Sequence, residues 1–198
     1  MKAVLSNRIY LSANKELMNR LERELTYTIA PRIPSDPPIV FKTFRYVREG
    51  LCSVPMGRED LIPSDYEIVD KRVVNEIEHP EFAYKLRPSQ QMAYDEVNDN
   101  SIINAWVSWG KTITALAIAA KLGQKTLVVT HTTNLRNQWE KEVKKSFGYT
   151  AGRIGSGMFN IDAPISVGNI QTLYRRMDVL QKEFGTLILD EMHHVSSP

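Results

Sequence analysis

Two short apolar runs, each delivering polar residues of a particular kind, constrain this chain more than anything else in it. Thr186-Leu187-Ile188-Leu189 leads into Asp190-Glu191-Met192-His193, and well upstream Ile102-Ile103-Asn104-Ala105 leads into Gly110-Lys111-Thr112. Between them strand and helix patterns alternate. Thr112 to Leu122 is rich in Ala, Ile and Leu and stops at Gly123, and Thr126 to Thr130 is an apolar strand. Thr133 to Phe147 is a helix closed by Gly148, Ile165 to Val167 a short strand, Gln171 to Phe184 a helix, and Leu187 to Leu189 the strand that carries the acids. A capped helix over Ser89 to Asn98 precedes the first of these strands. Strands alternating with helices predict βαβ crossovers, and therefore an α/β fold with a parallel sheet from about residue 79 to residue 198.

The first 78 residues follow another pattern. Ala3 to Leu11 reads as a strand, and Ser12-Ala13-Asn14 caps a helix in which Leu17, Leu21 and Leu25 recur at helical spacing. Pro31, Pro34, Pro37 and Pro38 interrupt regular structure; Val40 to Val47 is β-rich, and Leu51 to Val54 can pair with it across Gly50. Residues 1–78 thus read as a small α+β module, with Asn75 to Phe82 as the linker. Basic side chains dominate up to residue 58, among them Arg8, Arg20, Arg23, Arg32, Lys42, Arg45, Arg48 and Arg58, and acidic ones follow. The net charge of +2 is too small to argue for nucleic acid, but a basic face of this kind suits a phosphate backbone or is simply solvated. A lone cysteine, Cys52, excludes an internal disulfide framework and favours a reducing, cytoplasmic setting. The apolar stretch after Met1 is too short for a signal peptide or a membrane span.

Gly110, Lys111 and Thr112 at the head of a helix suit phosphate, because free backbone N–H groups and the positive end of the helix dipole converge there. Lys111 is then the counter-charge for the β- and γ-phosphates of ATP, and the Thr112 hydroxyl and Asp190 are ligands for Mg²⁺. Glu191 beside them orients the attacking water. The pattern is incomplete, since Ala105 stands where a phosphate loop has its first glycine. Trp106 and Trp139 read as packing residues.

Five blocks in order resemble superfamily 2 helicases of the branch that includes XPB-like, UvsW-like and restriction-type enzymes. Ala105 to Thr112 resembles their motif I, with Ser108 in place of a common glycine and Trp109 beside it; Asp190-Glu191-Met192-His193 resembles motif II in its DExH form. Leu86-Arg87-Pro88-Ser89-Gln90 is similar to the adenine-recognising block, with Ser89 in an aromatic position. Thr132 to Trp139 resembles motif Ia, with His131 in the place of a proline, and Val167 to Leu173 resembles the block that follows. The resemblance implies a RecA-like P-loop domain with a nucleotide site formed by Arg87, Gln90, Ser108, Trp109, Gly110, Lys111 and Thr112. It also implies that Lys111, Asp190, Glu191 and His193 serve catalysis, His193 linking the site to nucleic acid. Thr132, Arg136, Gln171 and Thr172 would lie near the DNA backbone. The interleaved Phe41-Lys42-Thr43-Phe44-Arg45-Tyr46 resembles the DNA-engaging N-terminal domain of phage UvsW-like helicases, with Lys42, Arg45 and Arg48 facing phosphate, unless Phe44 and Tyr46 fill the module's own core.

In such helicases motif II is followed by a further strand and a second motor domain that supplies arginine fingers. The expectation is therefore an N-terminal portion of a monomeric, ATP- and Mg²⁺-dependent DNA helicase or translocase acting on duplex, branched or single-stranded DNA. Its sheet should be incomplete, its intrinsic turnover weak and its setting the cytoplasm, that of the host for a phage protein. A short non-catalytic regulator that binds DNA or a helicase is the competing expectation; an intact Lys111, Thr112, Asp190 and Glu191 set argues against it.

Overall fold

The structure, a computed structural model, describes residues 1–31 and 35–191. It divides into two compact units, Met1–Arg72 and Val73–Pro198.

Unit 1 contains β1 (Lys2–Leu5), β2 (Ile9–Ser12), α1 (Lys15–Glu24), β3 (Thr26–Ile29), β4 (Ile39–Lys42), β5 (Arg45–Arg48), β6 (Leu51–Val54) and β7 (Glu67–Asp70). The expected single strand over Ala3 to Leu11 is two antiparallel strands, because the polar Ser6-Asn7-Arg8 turns the chain and Ser6 N donates to Arg8 O. Period-2 alternation then puts Ala3, Leu5, Ile9 and Leu11 on one face, buried under Leu21 and Leu25. The Asn14 side chain caps α1 by accepting from Leu17 N at 2.9 Å, a contact worth about 1 kcal/mol. Five strands form a sheet in the order β5-β6-β2-β1-β7, with β7 parallel to β1. The β-rich run Val40 to Val47 is also split. Its first part, β4, pairs with β3 in a separate ribbon, and its second part, β5, pairs with β6 as the expected hairpin.

Unit 2 contains α2 (Pro88–Glu96), α3 (Lys111–Leu122), β8 (Thr126–Thr130), α4 (Thr133–Phe147), β9 (Gly152–Gly155), β10 (Met158–Phe159), β11 (Ile165–Asn169), α5 (Ile170–Leu173), α6 (Met177–Leu180) and β12 (Thr186–Leu189). Its sheet has the order β10-β9-β11-β8-β12, parallel throughout except for β10. Alternate residues of the sheet feed two cores. Leu116, Val128, Trp139, Val143, Phe147, Ile165 and Val167 fill one, and Leu127, Val129, Ile154, Leu173 and Leu180 the other. A parallel strand covered on both faces must be apolar at nearly every position, which is why β8 reads Thr-Leu-Val-Val-Thr.

Two expected elements do not form. Ile102 to Ala105 joins no sheet, and Ile102 is 78% exposed. A four-residue apolar run is a strand only where an edge supplies its ladder bonds. The helix expected over Gln171 to Phe184 is broken into α5, a 3₁₀ turn and α6, with Arg176 at φ −129°; Leu173 and Leu180 still reach the core. Asn75 to Phe82, expected as linker, is bonded into unit 2: Ile77 N donates to Gly123 O and the Asn75 amide to Glu183 O. The boundary between units accordingly falls at Arg72, upstream of residue 78. Among the described residues no helix is long and apolar enough to cross a membrane.

Candidate functional site

Register places the motif residues at one end of the sheet of unit 2. Thr130 aligns with Asn169 and Leu189 with Val129, so the segments starting at His131, Ile170 and Asp190 all leave the carboxyl ends of neighbouring parallel strands. α3 ends at Gly123 just before β8 begins, and it packs against β12. Running back along the sheet, it presents its first residue, Lys111, at that same carboxyl end. Ligands of open α/β sheets bind there. A groove of about 550 Å³ lies instead beside residues that precede β9 and β11, among them Tyr149, Asp162 and Pro164, at the amino ends of the strands.

The turn into α3 is held from below. Gly110 is in the left-handed region at φ 99°, and a Cβ there would lie 2.3 Å from the Gln90 side-chain nitrogen, so only glycine fits. Gln90 is buried; its Nε2 donates to Trp109 O at 3.0 Å, while its Oε1 accepts from Arg87 N at 2.8 Å. The Arg87 guanidinium donates to the same Trp109 carbonyl at 2.7 Å. Trp109 is buried, and its indole N–H reaches Ser89 Oγ at 3.1 Å. Ser108 adopts φ 66°. The Lys111 ammonium lies within the loop, donating to Ala105 O at 3.1 Å and Trp106 O at 3.3 Å. Arg87 and Gln90, from the start of α2, thus meet the loop that carries Ser108, Trp109, Gly110 and Lys111. Trp106, expected to pack, is 71% exposed, because the segment before the loop joins no sheet.

At the end of β12, Asp190 N donates to Val129 O, and the Asp190 carboxylate accepts the indole N–H of Trp139 at 2.7 Å. Glu191 turns into the left-handed region at φ 54°, a conformation that costs a non-glycine residue about 1 kcal/mol or more. His193 lies outside the described residues. No group of three or more His, Cys, Asp or Glu side chains able to hold a metal occurs among the described residues. The expected ligands, the Thr112 hydroxyl and the Asp190 carboxylate, are oxygen donors of the type Mg²⁺ takes when nucleotide phosphates supply most of its coordination.

Of the expected nucleic acid residues in unit 2, Thr132 caps α4 by accepting from Leu135 N at 3.2 Å. Arg136 is only 2% exposed; its guanidinium donates to Asn169 Oδ1 at 2.8 Å and Ser156 Oγ at 3.1 Å and lies beside Glu140. Gln171 is exposed and Thr172 partly so. Thr172 Oγ1 and Arg136 Nη1 both line the space beside Gly155, where a Cβ would lie 2.6 Å from the guanidinium. Blocks distant in sequence therefore share one corner. Sequence reasoning missed the roles of Asn169, Ser156, Glu140 and above all Trp139. The available signals were that Trp139 closes the block resembling motif Ia and stands three positions after Arg136, on the same helical face. In unit 1, Lys42 pairs with Glu22 at 2.8 Å, Arg8 binds Ser53, and Arg58 binds Asp60 and Glu24, while Arg45 and Arg48 are exposed on β5.

A loop closed on Gly110, an acid-bearing strand end and a largely parallel sheet flanked by helices define an α/β domain, and comparison with known proteins specifies its family. Residues 83–198 match the family described as the res subunit of type III restriction enzymes. The chain is 43% identical over 198 residues to a probable helicase of Escherichia phage T5, covering 98% of this chain and 44% of that protein. It is 35% identical over 88 residues to the XPB-type DNA 3′-5′ translocase of Sulfurisphaera tokodaii, covering 44% of this chain and 20% of that protein. With the XPB DNA 3′-5′ helicase of Mycobacterium tuberculosis it shares 25% identity over 189 residues, 89% of this chain and 34% of that one. The chain thus spans less than half the length of these relatives. It belongs to the type III restriction enzyme res-subunit family and contains a superfamily 2 helicase domain related to the XPB and Rad25 type. Helicase activity and the use of ATP and Mg²⁺ are typical of that family.

Proposed function

We propose that unit 2 is the RecA-like nucleotide-binding domain of an ATP-dependent DNA helicase or translocase, and that unit 1 is its accessory DNA-binding module. The observation that carries this reading is the Lys111 ammonium curled inside a loop that closes on Gly110, at the sheet end from which Asp190 also emerges. In this reading Lys111 exchanges its two carbonyl partners for the β- and γ-phosphates, a charge-assisted and stronger contact. Thr112 and Asp190 hold Mg²⁺, which when bound neutralises charge on the phosphates. Glu191 orients the attacking water, and Gln90 and Arg87 brace the loop from the adenine side. His193 is assigned the coupling role that the family resemblance implies. Thr132, Gln171 and Thr172 lie along the DNA backbone; Arg136, committed to Asn169 and Ser156, shapes that surface from beneath. On unit 1, Arg45 and Arg48, with Lys42, meet phosphate.

Replacing Lys111 by Ala tests the assignment. Binding of Mg²⁺–ATP should fall by at least about tenfold, in keeping with the loss of charge-assisted hydrogen bonds, and DNA-stimulated hydrolysis by the full chain should vanish. Unchanged ATP affinity in a folded Lys111→Ala protein would defeat it.

A further inference from the structure

The bond between Trp139 and Asp190 joins two regions that the sequence keeps apart. The Trp139 ring is 3% exposed and packs in the core that also contains Leu116, Val128, Val143 and Phe147. Packing alone accounts for a large apolar side chain at this position, but not for the direction of its one polar atom. The indole N–H is a donor only, and it is spent on Asp190 Oδ2 at 2.7 Å, the length of a charge-assisted bond. A carboxylate has two oxygens with about four lone-pair sites, so one such bond fixes the rotamer and leaves Oδ1 for another partner.

The other end of the link is the same helix. α4 begins at the Thr132 cap, carries Arg136 one turn in, and carries Trp139 and Glu140 in the next turn. Arg136 reaches Asn169 at the end of β11 and Ser156 in the β9–β10 turn, and Glu140 pairs with Arg153 of β9. The first two turns of α4 are therefore anchored to the corner assigned above to the DNA backbone, and the same helix carries the bond to Asp190.

Resting on that reading of the site, we propose that Trp139 is the positioning residue of Asp190, and that α4 transmits nucleic acid contact at its first turn to the carboxylate that holds Mg²⁺. Contact at Thr132 and the Arg136 corner shifts α4, the indole N–H moves with it, and Asp190 is brought into or out of the orientation that binds metal. DNA stimulation of ATP turnover then depends on a single N–H.

The test compares wild type with Trp139→Phe and with Trp139 replaced by 3-benzothienylalanine, which keeps the bicyclic ring but has sulfur in place of N–H. In the full chain, binding of a fluorescent ATP analogue is titrated with Mg²⁺, repeated in EDTA, and paired with hydrolysis with and without DNA. Thermal unfolding of each variant separates folding from function. We expect both variants to raise the half-saturating Mg²⁺ concentration by about 10- to 100-fold, the usual cost of removing a partner that orients a metal ligand. Metal-free nucleotide binding should be unchanged, and stimulation by DNA should be lost. If the benzothienyl variant keeps the wild-type Mg²⁺ midpoint and DNA stimulation, Trp139 serves packing only and the proposal is overturned, even where Trp139→Phe is unstable. Asp190→Asn distinguishes the two levels of the argument. Should it leave the Mg²⁺ midpoint unmoved, the metal role of Asp190 falls and this inference with it; should it move the midpoint while the Trp139 variants do not, only the inference falls.

Discussion

In unit 1, β4 and β5 are exposed at every position, Val40, Phe41, Tyr46 and Val47 included, whereas in unit 2 all five residues of β8 and all five of β11 are buried. The contrast follows from how each sheet is covered. In unit 1 the buried side chains of the sheet form one cluster with α1, while in unit 2 two clusters lie on alternate residues of the same strands. A strand buried on both faces has no side chain left for a ligand, so the chemistry of unit 2 is confined to strand ends and the turns beyond them. An exposed strand can present functional side chains along its length.

Stability measurements should break this contrast if it is wrong. Ile165→Ala in unit 2 should cost about 2–5 kcal/mol in denaturant unfolding, because it leaves a cavity in a core that cannot collapse. Val40→Ala on the exposed ribbon of unit 1 should stay within about 0.5 kcal/mol. Equal losses at the two sites would mean that β4 is covered in solution.

Nucleic acid binding sharpens the same comparison from the functional side. Changing Lys42, Arg45 and Arg48 together to Gln should weaken DNA binding and flatten the slope of log affinity against log salt, each lost phosphate contact removing about 0.9 from a duplex slope. Since Lys42 already pairs with Glu22, most of the change should come from Arg45 and Arg48, and Lys42→Gln alone should have the least effect. Identical salt slopes for the triple variant and wild type would remove β5 from the interface.

The smallest effect concerns the segment at the start of unit 2. His79 is held against Gln124 O and the Phe147 ring, and burial lowers its pKa below the ordinary 6.5, opposed by the hydrogen bond to Gln124. The unfolded chain therefore takes up the proton first as pH falls. Stability from the neutral ring is present above about pH 6.5 and is lost progressively below it, levelling off once the folded form also protonates. His79→Phe should remove that part of the acid sensitivity of unit 2, seen as a flatter dependence of melting temperature on pH. An unaltered profile would assign it to other groups.

Much of unit 2 was legible because its helices carry their own ends. α4 runs from its Thr132 cap to Gly148, α3 stops at Gly123, and both match the expected bounds to within a residue. The motif residues were legible for a related reason: Gly110-Lys111-Thr112 and Asp190-Glu191 are contiguous, and their spacing from apolar runs is a local property. What went unread was pairing across long sequence separations. Nothing within Glu67–Asp70 announces a strand parallel to β1, and Gly152 to Phe159 is too glycine-rich to show the β9–β10 hairpin. The Ile102 to Ala105 run failed in the opposite sense, since its composition promised a strand and the chain there pairs with no strand of the sheet.

The sequence by itself determined the α/β alternation of unit 2, the ends of α3 and α4 and the residue types of the candidate nucleotide site. These depend on backbone propensity, capping and short-range spacing, all settled within a few residues. Tertiary structure alone decided that Arg136 is buried, that Trp106 is exposed, and that the N–H of Trp139 ends on Asp190. Each of those depends on which distant group occupies the adjoining space, and a polar atom buried in a packed core must take whichever partner the closing sheet brings within reach.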